Sequence, residues 1–144
     1  MAYFNGRKVL LGLRQAEGGA KNLINLDPND GYESGKCYEL NNYGGIDEIQ
    51  GGSYATSGFI PVTPGKKYIY AHEQNWNSGK YSIALLYYTD KSTRSSAVRY
   101  PTDYYQANRA WFFTVPANIN FVRLPLGTTA LPASNGTSVM YELR

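Results

Sequence analysis

Cysteine and histidine are almost missing from this sequence, with one of each, Cys37 and His72, among 144 residues. A single cysteine excludes an intrachain disulfide framework, so packing must stabilise the fold. In "GKCYEL" the thiol stands between apolar neighbours, and a buried, unreactive side chain is expected. One histidine excludes two-histidine metal sites, no Gly-x-Ser-x-Gly elbow occurs, and no cofactor is expected. Charge of one sign is scarce too. A net charge of +3, with no basic cluster beyond short pairs such as Lys66-Lys67, gives no footprint for nucleic acid. No run reaches the roughly 18 apolar residues of a membrane-spanning helix, so membrane insertion is not expected. The opening "MAYFNGRKVLLGLR" lacks the pattern of a secretory signal, and export through one is not expected. A sustained 3.6-residue apolar period is also missing, which excludes a helical fold.

What the chain has is tyrosine, 14 against 5 phenylalanines. Tyrosine combines a large apolar face with a polar tip, and beside many Asn, Ser and Gly it makes the mixture used by recognition surfaces. It is equally a good strand former. Short runs rich in β-branched and aromatic residues recur between Gly, Pro and Asn clusters, which is the pattern of an all-β fold. The expected strands are 7–13, 22–26, 36–40, 59–62, 67–72, 81–89, 110–115, 119–126 and 138–143. In the last, Val139, Tyr141 and Leu143 alternate with Ser138, Met140 and Glu142. "YSIALLYY" is nearly all apolar, as a central strand covered on both faces would be. A weak helical turn is expected around 103–108.

"SGFIPVTPGKKYIY" (57–70) carries two prolines at what reads as the start of a strand. Pro61 removes a sheet donor and suits a short edge strand. Thr63-Pro64-Gly65-Lys66 is a type II turn, with φ preset at Pro64 and positive at Gly65. A longer strand then begins at Lys67. "DPNDGYE" (27–33) superficially has the look of a calcium loop, but its glycine is fifth rather than sixth and no helices flank it. An Asx turn accounts for it better. "QAEGGAKN" reads as a hinge, so residues 1–20 are taken as an N-terminal arm and hinge and 21–144 as one domain. An arm carrying Val9, Leu10, Leu11 and Leu13 is expected to pack on its own domain or on a neighbouring subunit.

The order "NLIN" (22–25), "GFIPVTPGKKYIY", "LLYYTD" and "FFTVPANINFVRL" resembles a β-sandwich module of bacteriophage tail and baseplate proteins. The matching positions are Phe59, Ile60, Pro61, Val62, Pro64, Gly65, Tyr68, Tyr87, Tyr88, Phe113, Pro116, Phe121 and Arg123, with Asp90 one place late. The resemblance implies an antiparallel β-sandwich of jelly-roll type, similar to carbohydrate-binding modules. It also implies a place in the virion and a homo-oligomer, of trimeric kind, joined through residues 1–14. The matching residues all have structural readings: turn chemistry at Pro64 and Gly65, core at Ile60 and Phe121, and a carboxylate partner at an edge for Arg123.

Catalytic sets are scarce. Two carboxylates about 5–9.5 Å apart would serve a glycosidase, but nothing in the spacing of Asp47, Glu48, Glu73, Asp90 and Asp103 selects a pair. The protein is therefore expected not to be an enzyme. Sugar recognition needs aromatic faces flanked by amides and carboxylates, and two segments hold that inventory. "HEQNWNSGK" sets Trp76 among Gln74, Asn75 and Asn77. "VRYPTDYYQANRAW" offers Tyr100, Tyr104 and Tyr105 beside Asp103 and Arg109. Trp111, inside an apolar strand, is expected in the core. The function expected is a non-catalytic module that recognises host surface glycan; the alternative is a structural oligomerisation or virion-decoration module with no ligand of its own.

Overall fold

A computed structural model of the protein describes residues 21–41, 43–72, 84–99, 110–126 and 138–143. Among them are ten strands, one 3-10 turn (Pro28–Asp30) and no α-helix. The strands are β1 (Glu33–Leu40), β2 (Ile46–Thr56), β3 (Ile60–Pro61), β4 (Lys67–His72) and β5 (Ala84–Asp90). They continue with β6 (Thr93–Arg99), β7 (Ala110–Thr114), β8 (Phe121–Arg123), β9 (Pro125–Leu126) and β10 (Ser138–Glu142). Three antiparallel sheets result, ordered β1-β2-β9, β10-β4-β7 and β3-β8-β5-β6. The described residues are all-β, as the punctuated aromatic runs imply.

The opening prolines of 57–70 do what their chemistry dictates. β3 is two residues long, contains Pro61 and pairs only with β8 at the edge of its sheet. Gly65 has φ +82°, and the Lys66 N–H donates to the Thr63 carbonyl at 3.1 Å, closing the turn. β4 then runs from Lys67 to His72 with the bounds read from the sequence. Residues 119–126 divide at Leu124 into β8 and β9, because Val122 pairs in one sheet and Leu126 in another. Residues 22–26 are not a strand, although the Leu23 N–H donates to the Met140 carbonyl along the β10 edge.

One core cluster draws on nine of the ten described strands, β1 to β5 and β7 to β10. On β4 it takes Tyr68 and Tyr70, with Phe113 and Trp111 opposite on β7 and Met140 opposite on β10. Tyr70 is fully buried and its hydroxyl donates to the Pro125 carbonyl at 2.7 Å, which removes the cost of burying it. Trp111 is core, as expected. β5 is covered on both faces. Leu85 and Tyr87 enter the main core, while Ala84, Leu86 and Tyr88 form a second cluster against Tyr38, Leu40, Ile46, Phe59 and Phe121. Burial pushes the Tyr87 hydroxyl up to a pKa of about 12.

Candidate functional site

Gln74, Asn75, Trp76 and Asn77, with Tyr100, Asp103, Tyr104, Tyr105 and Arg109, lie outside the described residues. So does the turn expected at 103–108. Their roots, however, are described. Residues 73–83 join His72 to Ala84, and residues 100–109 join Arg99 to Ala110. Ala71 pairs with Ala110 at one pair of roots, and Ala84 pairs with Arg99 at the other. Both connections therefore start and finish side by side at one end of the strands. The connection 127–137 returns to the same end, since Ser138 pairs with His72. The roots of the two segments selected by composition are neighbours through strand register, which no local pattern in the sequence reveals.

A groove of about 370 Å³ sits at the opposite end of β5, beside Lys91. Lys21 to Asn25, Asp30 and Phe59 to Pro61 line it. Asn25 staples its walls together. The Asn25 amide donates to Asp30 Oδ2 at 3.0 Å and to the Phe59 carbonyl at 2.8 Å, while its Oδ1 accepts from the Asp27 N–H at 2.9 Å. "DPNDGYE" forms the Asx turn, with the Asn29 N–H donating to Asp27 Oδ1 at 2.8 Å. Lys91 reaches Asp30 at 2.7 Å. That hydrogen bond is the main reason the Asp30 carboxyl titrates below its ordinary range. An ionised Asp30 accepts hydrogen bonds and is a poor proton donor at neutral pH.

Behind the groove lies Arg123, buried rather than at the expected edge. It pairs with Glu33 at 2.6 Å, the carboxylate partner anticipated from its type. Nε donates to the Ser57 carbonyl at 3.1 Å, Nη1 to the Tyr88 hydroxyl at 3.2 Å, and Nη2 also to the Gly31 carbonyl. Its guanidinium carbon lies 5.3 Å from the Phe59 ring centroid and 5.7 Å from that of Tyr38. A rigid fork of donors with flat faces suits this position as an ammonium does not. Burial raises the Glu33 pKa, but hydrogen bonds from Arg123, Lys36 and Tyr38 outweigh it and hold the carboxyl at about 2. Asn25 and Arg123 thus both make contacts to Phe59, and those contacts are structural.

Tyr43 escaped the composition-based reading. It is 98% exposed at the β1–β2 turn, where Asn41 Oδ1 accepts from the N–H groups of Tyr43 and Gly45. An Asn-x-Tyr-Gly-Gly turn is the signal that was available for it. Among the described residues no group of three metal-ligating side chains occurs, and no helix is long and apolar enough to cross a membrane.

The chain matches no protein-family model and no curated protein. Fold and chemistry must supply the rest of the functional argument.

Proposed function

We propose that the protein is a non-catalytic binding module of phage-tail type, a β-sandwich of jelly-roll kind that recognises host cell-surface carbohydrate from the virion surface. One observation carries the reading. The two segments rich in aromatic, amide and carboxylate side chains are rooted side by side at both of their ends. Trp76 stands four positions beyond His72, and Tyr100 and Arg109 adjoin the roots of the second segment. Aromatic faces give a pyranose ring its apolar contact, and the flanking amides and carboxylates satisfy its hydroxyls.

The test is binding of the multivalently displayed protein to bacterial cells and a broad glycan array. Trp76→Ala is expected to weaken binding tenfold or more while the melting temperature stays unchanged. Pro61→Arg, exposed at the wall of the opposite groove, is expected to leave binding intact. Binding lost in Pro61→Arg and kept in Trp76→Ala would transfer the site to that groove. Absence of binding to cells and glycans alike would remove the carbohydrate reading.

A further inference from the structure

The sheet β10-β4-β7 has a second face, turned away from the core. Tyr68, Tyr70, Phe113, Trp111 and Met140 point into the main cluster, so strand alternation sends Ile69, Phe112, Val139 and Tyr141 to the far side. That side is apolar and unevenly covered. Ile69, Val139 and Tyr141 are buried, on the face opposite the residues of the main cluster. Phe112, paired with Ile69 on the same face, is 45% exposed. Beyond it a groove of about 330 Å³ opens over Lys67, Phe112, Thr114 and Leu143.

We propose that the apolar run Val9–Leu13 of the chain's own N-terminal arm docks on this outer face. Three observations identify that occupant. The first is connectivity: the Met140 N–H donates to Asn22 Oδ1 and the Leu23 N–H to the Met140 carbonyl. The chain therefore enters the described structure along the β10 edge of this very sheet. The second is composition. Residues 9–13, "VLLGL", hold four large aliphatic side chains, whereas segments 73–83, 100–109 and 127–137 hold only Ile83 and Leu131 among them. In an extended arm Val9, Leu11 and Leu13 share one face, as a docked strand requires. The third is reach. Residues 14–20 span about 23 Å when extended at ~3.3 Å each, and three strands are only about 10 Å wide from first axis to last. A run anchored at Lys21 reaches every position on the face, Phe112 included.

The proposal is independent of the carbohydrate reading and is tested on the full chain. Phe112, half-exposed and outside the core, is replaced by a benzophenone-bearing phenylalanine analogue, irradiated, and the products are mapped by mass spectrometry. Heavy and light isotopic chains are mixed beforehand to separate cross-links within a chain from those between chains. The expected result is a dominant cross-link to peptide 8–14 within one chain. Leu11→Asp is expected to cut its yield at least fivefold. Cross-links to peptide 8–14 that join heavy to light chains would overturn the proposal and show an exchanged arm, the joint of an oligomer. Cross-links only to other segments, or none at all, would overturn it outright.

Discussion

At the scale of single residues, Arg123 links several separate parts of the chain. Four polar contacts tie this β8 residue to the 27–33 turn, Ser57 and β5, and it is buried, with Glu33 as its one carboxylate partner among the described residues. Removing the guanidinium takes a donor from the Ser57 and Gly31 carbonyls and leaves Glu33 to Lys36 and Tyr38, a cost of about 3 kcal/mol. Arg123→Ala is expected to lose that amount in urea denaturation, and Arg123→Lys to recover only a minor part. A loss below about 1 kcal/mol for Arg123→Ala would contradict this account. Gly31 belongs to the same arrangement. Its φ is +94°, and a Cβ there would stand 2.8 Å from the Phe59 ring, so the turn that supplies a carbonyl to Arg123 admits no side chain. The sequence announced the arginine's need for a carboxylate but not its depth, because burial depends on Tyr38, Phe59 and Tyr88 arriving from three separate strands or loops.

At the scale of elements, turn chemistry was legible and edge pairing was not. Pro64 and Gly65 fixed the reversal before β4, and β5 declared its two covered faces by being apolar throughout. β2 and β6 gave no such sign. β2 carries Asp47, Glu48, Gln50 and a Gly51-Gly52 pair, and its burial does not alternate. β6 lies at a sheet edge with Thr93 to Ser96 exposed, so no hydrophobic period marks it. The composition of the two candidate segments was visible, while the adjacency of their roots arises from the Ala71–Ala110 and Ala84–Arg99 pairings, which are long-range. Gly65 allows a direct test of the turn. Nothing lies within 4 Å of a Cβ built there, so any penalty is backbone strain alone. Gly65→Ala is expected to cost about 1 kcal/mol and Gly65→Asn less, since asparagine tolerates positive φ. Equal penalties in thermal melts would argue against a left-handed residue at that position.

At the scale of the whole molecule, acid should weaken the fold through Glu33. Its carboxyl is held at about 2 in the folded chain, below the ordinary value of 4.5. A depressed carboxylate gives its full stabilisation above the unfolded value and loses it as the pH falls toward the folded one. The loss therefore falls between about pH 5 and pH 2, and amounts to about 2 kcal/mol after screening of a side chain that is 26% exposed. Urea midpoints measured at pH 7, 4 and 2.5 should fall through this window, and Glu33→Gln should flatten that part of the profile. An identical profile in Glu33→Gln would assign acid sensitivity to other groups.

Cys37 has no exposed surface and sits in the main core, opposite Ile49 in the β1–β2 pairing. Only a thiolate reached by reagent reacts, so the folded protein should be silent to thiol probes. Its labelling rate then becomes a clock for opening of the core. The same silence makes any cysteine placed on the surface a unique attachment point for a dye or a bead, without first deleting the native one.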